Sequence, residues 1–182
     1  SRVDELVDRA RKMTEKHKEE LKRIVEENRR VSKEHKERLE DILRRNAEIV
    51  ERVKEVLKRG TPREKLVKDV REVSRDSKRR LDDLLRTNHK ISEESKRRLR
   101  ELLRTNEEFV RTVEDLLRRE VSDEDKVRRA LEELKKLHDE LAKEAKRVEE
   151  LLDKSNEEVE KVVRDVREAS ERLLEELERT AK

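Results

Sequence analysis

The only glycine and the only proline of this chain stand together, at Gly60-Thr61-Pro62. Glycine and proline are the two residues that most disfavour a helix interior. In 182 residues there is therefore a single place where a helix is strongly told to stop. Gly60 suits the position just past a helix, Thr61 an N-cap, and Pro62 the first helical turn. A weaker break lies at Val121-Ser122-Asp123-Glu124-Asp125. There Ser122 is a good N-cap, and the acids behind it favour the positive end of a new helix. The spacing predicts three helices over roughly 2–59, 62–120 and 122–181, each on the order of 85 Å long at 1.5 Å per residue.

Apolar residues fall on one stripe of each segment. In the first, Val3, Leu6, Val7, Ala10, Met13, Leu21, Ile24, Val25, Val31, Leu39, Ile42, Leu43, Ile49, Val50, Val53, Val56 and Leu57 recur at helical spacing and fill an arc of roughly 120°. The second segment gives a similar arc. The third is broader, roughly 180°, because Ala130, Leu137, Ala142, Ala145, Leu151 and Ala169 widen it. Arcs of this width suit a single-layer bundle, and short loops make neighbours antiparallel. The expected fold is all-α: an up-down-up antiparallel three-helix bundle with long, nearly straight helices, one unit over residues 1–182.

Composition excludes several function classes. Charged residues are 55% of the chain, yet 52 Lys+Arg are balanced by 49 Asp+Glu, leaving a net charge of +3. Both signs alternate along every helix and the one aromatic is Phe109, so there is neither a basic stripe nor a stacking platform for nucleic acid. No apolar run is long enough to span a bilayer, and Ser1-Arg2-Val3-Asp4 lacks the shape of a signal peptide. Cysteine is absent, which removes disulfides and thiolate metal sites.

An internal repeat sets the register. HKEELKRIVEEN at 17–28 returns as HKERLEDILRRN at 35–46, and SKRRLDDLLRTN at 77–88 returns as SKRRLRELLRTN at 95–106. Both repeats are spaced by eighteen residues. That is five turns at 3.6 residues per turn, so each copy comes back to the same face. Such a period implies nearly straight helices, whereas a strict heptad imposes a supercoil.

Within the apolar stripes stand polar residues: His17, Asn28, His35 and Asn46 in the first helix, and Ser77, Asn88, Ser95 and Asn106 in the second. Folding the chain back at Gly60 places residues of constant index sum at equal height. His17 then meets Asn106, Asn28 meets Ser95, His35 meets Asn88, and Asn46 meets Ser77, all with a sum of 123. The third helix extends two of these levels, to His17–Asn106–His138 and His35–Asn88–Asn156, with a sum of 244 against the second helix. Ser74 and Ser170 share that sum. The other two levels have no evident polar residue on the third helix, leaving local closure, Ser155, a backbone carbonyl or a partner chain to complete them. A buried amide or hydroxyl without a partner costs about 1–3 kcal/mol, so a slipped register that strands several at once is strongly disfavoured.

Catalytic chemistry finds no support in this pattern. No Ser, His and acid share one height, and the carboxylates lie on the solvated faces. Two imidazoles and an amide in the His17–Asn106–His138 level make a poor zinc site. His17, His35 and His138 are candidates for sensing pH, because imidazole alone among unperturbed side chains changes charge between pH 5 and 8. A neutral ring accepts one hydrogen bond; a protonated ring accepts none. His89, beside Asn88, falls off the stripe and is expected at the surface.

These features together resemble the de novo designed helical bundles with modular buried hydrogen-bond networks, a class that includes pH-responsive, His-containing members. The resemblance covers the whole chain and rests on capped, glycine-poor helices, Glu/Lys/Arg surfaces, the eighteen-residue repeat and the His/Asn/Ser levels. It implies a structural or assembly role, no cofactor, no catalysis, and solubility in the cytoplasm of an expression host. Homo-oligomeric members usually carry two helices per chain, and this sequence carries three. Two readings stay open: a monomeric scaffold, or a module that binds a further designed helix or forms a symmetric oligomer such as a trimer.

Overall fold

The computed structural model describes residues 1–60 and 63–181; within these, nothing is said of the side chains of 57, 63, 173, 174, 177, 178, 180 and 181. Three α-helices make up the fold: α1 Arg2–Lys58, α2 Arg63–Glu120 and α3 Glu124–Ala181. They pack on one another as an all-α three-helix bundle. The chain divides into two compact units, 1–29 with 92–154, and 30–91 with 155–182. Every helix contributes to both.

Local chemistry explains the ends. Ser1 Oγ accepts the Asp4 amide at 3.4 Å, an N-cap for α1. Gly60 follows α1 with φ of 79°, the left-handed conformation that suits a residue without Cβ. Thr61 and Pro62, read above as cap and first turn of the second helix, lie outside the described residues. At α3 the cap differs from the sequence reading. Asp123 Oδ1, not Ser122, accepts the amides of Asp125 and Lys126, at 3.1 and 3.3 Å. A carboxylate there satisfies two orphan donors and also meets the positive end of the helix dipole, which a hydroxyl cannot do. Along the exposed faces, pairs such as Asp8–Lys12, Asp76–Arg80 and Glu107–Arg111 sit at i,i+4 and contribute about 0.2–0.5 kcal/mol each to helix formation.

Ion pairs between helices read out the register within each unit. In the first unit, Arg11 pairs with Glu133 and Lys18 with Glu140. In the second, Lys36 pairs with Glu158. A constant index difference means that α1 and α3 run parallel. Arg2–Glu120 and Arg98–Glu27, both in the first unit, join α1 to α2 with nearly the same index sum, so α2 runs against α1.

Each unit buries two apolar clusters. In the first, Leu6, Ala10, Val113, Leu117, Ala130 and Leu134 form one, and Leu21, Ile24, Leu99, Leu141, Ala145, Val148 and Leu152 the other. In the second, Leu39, Ile42, Leu81, Leu84, Val159, Val163 and Val166 form one, and Val53 and Val70 the other, with Ile49 packed against it. The larger cluster of the second unit is the eighteen-residue counterpart of its equivalent in the first. Leu21 becomes Leu39, Leu99 becomes Leu81, and on α3 Leu141, Ala145 and Val148 become Val159, Val163 and Val166. The repeat thus includes α3, where the residue types change while the positions persist. The extra width of the α3 stripe is not all used for packing: Leu151 is 49% exposed, as is Leu43 on α1 at 41%.

Leu117 and Leu134 are fully buried. Leu134→Ala should cost about 2–5 kcal/mol through lost burial and the cavity left behind, read as a lower urea midpoint. Leu43→Ala at the surface should stay within about 0.5 kcal/mol of the parent.

Candidate functional site

Between the two apolar clusters of the first unit lies a polar layer built from all three helices. Asn106 of α2 is its centre and has no exposed surface. Its Oδ1 receives a hydrogen bond from Thr14 Oγ1 at 3.3 Å and lies 2.9 Å from His17 Nδ1. Its Nδ2 lies 3.1 Å from His138 Nδ1. Both α1 residues are buried, and His138 is half-buried. An amide oxygen only accepts and an amide nitrogen only donates. His17 must therefore carry its proton on Nδ1, and His138 must leave Nδ1 bare. Thr14 was not singled out in the sequence, although it sits three residues before His17 on the same face.

The second unit holds the corresponding layer. His35 Nδ1 is 2.9 Å from Asn88 Oδ1, Asn88 Nδ2 donates to Asn156 Oδ1 at 2.7 Å, and Asn156 Nδ2 donates to Glu160 Oε1 at 3.1 Å. Glu160 adds a carboxylate that no index sum indicated, since it lies one turn along α3 from Asn156. The counterpart of Thr14 is Ser32, and it bonds elsewhere, to Ser155 Oγ at 2.7 Å.

Asn46 and Ser77 meet in the same unit, with Ser77 Oγ donating to Asn46 Oδ1 at 3.0 Å. Here α3 does supply the third partner. Asn46 Nδ2 donates to Ser170 Oγ at 3.1 Å. The sequence had grouped Ser170 with Ser74; the structure joins it to Asn46 instead, from about one turn along α3.

Asn28 and Ser95, in the first unit, are different. Ser95 is buried and Asn28 half-buried, but no hydrogen bond joins them. Eighteen residues before Ser170 stands Leu152, fully buried in the apolar cluster of this unit. An apolar side chain occupies the place from which a hydroxyl closes the Asn46 level. Ser92, also of this unit, is buried as well, and His89 in the second unit is exposed.

Charge around the layers is mixed. Among the described residues no group of His, Cys, Asp or Glu could hold a metal ion, and no helix is long and apolar enough to cross a membrane. The exposed Glu120 carboxyl is held below its usual range by the hydrogen bond from Arg2, at 2.5 Å. Lys96 is held above its usual range by its hydrogen bond to Asp153. The sign follows from each direction. The Glu120 contribution is present above the ordinary carboxylate range and lost as pH falls through the depressed value; the Lys96 contribution persists into alkali and is lost only above the ordinary lysine range. Both are surface pairs that salt weakens.

These contacts rank the layers. Asn106→Ala leaves a buried hydroxyl and two imidazoles without their partner, and should cost about 2–4 kcal/mol by urea denaturation at pH 8. Asn28→Ala breaks no hydrogen bond and should change stability by less than about 0.5 kcal/mol. Equal effects at the two positions would refute this ordering.

Among solved structures the chain is similar to a "Computationally designed three helix bundle", with 17% identity and a TM-score of 0.62 over 98% of this chain and 91% of that one. At that identity the likeness concerns the fold alone, and it agrees with the three packed helices described above. No protein-family model matches the sequence, and no curated protein does.

Proposed function

We propose that the chain is a de novo designed structural module, a three-helix scaffold whose buried polar layers specify helix register and loosen in acid. The observation that carries this reading is that three levels draw hydrogen-bonding groups from all three helices: Asn106 with His17 and His138, Asn88 with His35 and Asn156, and Asn46 with Ser77 and Ser170. Each closes within one chain, so register is selected without a partner. The eighteen-residue repeat and the solved designed bundle of the same fold support the designed origin. The module has no catalytic role in this reading; its residues of chemical interest bind one another.

Acid sensitivity is part of the proposal because rings that accept a hydrogen bond must be neutral. A ring nitrogen that takes a proton stops accepting, so acid removes the bond that it accepted.

A second reading, in which a further helix or other copies of the chain complete the bundle, draws on Asn28, left without a hydrogen bond to Ser95, and on the exposed Leu151. Light scattering separates the two. The scaffold reading expects a mass of 22.1 kDa at both pH 8 and pH 4.5, with a lower urea midpoint at pH 4.5. A multiple of that mass at pH 8 would establish the assembly reading, and a urea midpoint that does not move with pH would remove the acid response.

A further inference from the structure

We infer that the two His–Asn layers answer acid differently: the layer centred on Asn106 is the acid-labile one, through His138, and the His35 layer is acid-tolerant because Glu160 fixes the direction of its hydrogen bonds. This rests on the acid response proposed above and assigns it to one of the two layers.

The argument starts from what one amide can serve. Asn106 has a single accepting end and a single donating end, and the two rings approach opposite ends. Oδ1 is filled from the α1 side, where Thr14 and His17 offer a hydroxyl and a ring N–H. Nδ2 is left for His138, whose Nδ1 must accept. Protonating His138 places an N–H against an N–H. Turning the amide over helps only while His17 is neutral and accepts at Nδ1; once His17 also carries its second proton, the amide nitrogen faces an N–H whichever way it points. The layer can carry a charged ring only on its donating side, and a second proton breaks a buried bond whichever way the amide points.

The His35 chain has a fixed polarity. Glu160 is a carboxylate and accepts only. Asn156 must therefore turn Nδ2 toward it, which turns Oδ1 toward Asn88. Asn88 must in turn donate to Asn156 and present Oδ1 to His35. His35 is thereby a donor at Nδ1. Its second proton goes to Nε2 and leaves every bond of the chain intact, with a carboxylate at the far end.

Neighbouring charges do not reverse this. The groove beside His138 is lined from α2 by Glu107, Arg111, Glu114 and Arg118, and from α3 by Arg128, Glu132, Lys135 and Asp139, acids and bases in equal number. On the α1 side, Lys18 faces Glu140 and Arg11 pairs with Glu133. His17 opens on Glu20, Arg23, Arg98 and Glu101, again balanced. One turn from His35 the groove between α1 and α2 carries Arg38, Asp41, Arg45, Arg80 and Asp83. Toward α3, Lys36 pairs with Glu158 at 3.7 Å. Bond direction is what distinguishes the two layers.

Two measurements on the full chain test the assignment. Long-range proton–nitrogen correlation spectra of the ¹⁵N-histidine-labelled protein at pH 8 report each ring's tautomer. The expected result is Nδ1–H at His17 and His35 and Nε2–H at His138. The same tautomer at His17 and His138, the reverse assignment, or a bare Nδ1 at His35 overturns the inference, and no substitution is needed to find out. Urea midpoints at pH 8 and pH 5 then follow for His138→Asn, which copies the Asn156 arrangement, and for His35→Asn. The first should abolish most of the fall in midpoint between the two pH values; the second should leave it. A fall that persists in His138→Asn and vanishes in His35→Asn overturns this inference alone, whereas a parent with no fall removes the acid response itself. Asn106→Asp gives an independent sign. A carboxylate accepts from both rings, so this variant should move the acid midpoint down by about one pH unit or more, and Asn88→Asp, which loses its donation to Asn156, should not.

Discussion

A buried primary amide has to find both an acceptor and a donor, and in this bundle the two come from different helices. That demand, met at Asn106, Asn88 and Asn46, is what the rest of this structure is arranged around. Each of these amides sits on one helix and spends its two ends on two others. Leucine against leucine is tolerant of a shift along the helix axis, because one apolar contact replaces another at little cost. An amide between a ring and a hydroxyl tolerates none, since a shift trades two hydrogen bonds for two desolvated groups. The apolar clusters supply the affinity between helices, and the amides decide which of the many apolar alignments is taken.

Much of this was legible in the sequence, for a definite reason. In a straight helix the eighteen-residue repeat returns each residue to its own face, so simple index sums give height in a hairpin. That arithmetic brought His17 to Asn106, His35 to Asn88 and Asn46 to Ser77, and carried the first two on to His138 and Asn156. It could not rank the levels. Asn28 and Ser95 have the same sum as the others, yet no hydrogen bond joins them, and the α3 position that closes the Asn46 level is here Leu152, an apolar residue that a search for polar residues passes over. It also missed Thr14 and Glu160. Both lie one turn from a residue already identified, and a side chain that reaches along its own helix is invisible to a rule that compares heights between helices. Ser170 was visible but grouped with Ser74; it reaches Asn46 from about one turn along α3, which a comparison of heights does not show. Asp123 outranks Ser122 as the α3 cap by its charge, a distinction that propensity at a single position does not draw.

The same layers also show that burial of a histidine does not by itself decide whether its ring donates or accepts. His17, His35 and His138 all place Nδ1 on an asparagine. Only the end of the amide that each meets decides whether a second proton is compatible with the bond. For His35 that end is dictated three groups away by Glu160, an acid at the edge of the bundle. The information passes through two amides, because each can present an oxygen on one side only if it presents a nitrogen on the other. A hydrogen-bonded amide chain is thus a conductor of polarity, and a carboxylate at one end sets the direction of the bond at the other. The two layers share helices and the eighteen-residue spacing and differ in three places: Asn156 stands for His138, Glu160 joins beside it, and Ser32, the counterpart of Thr14, bonds to Ser155 instead of the amide.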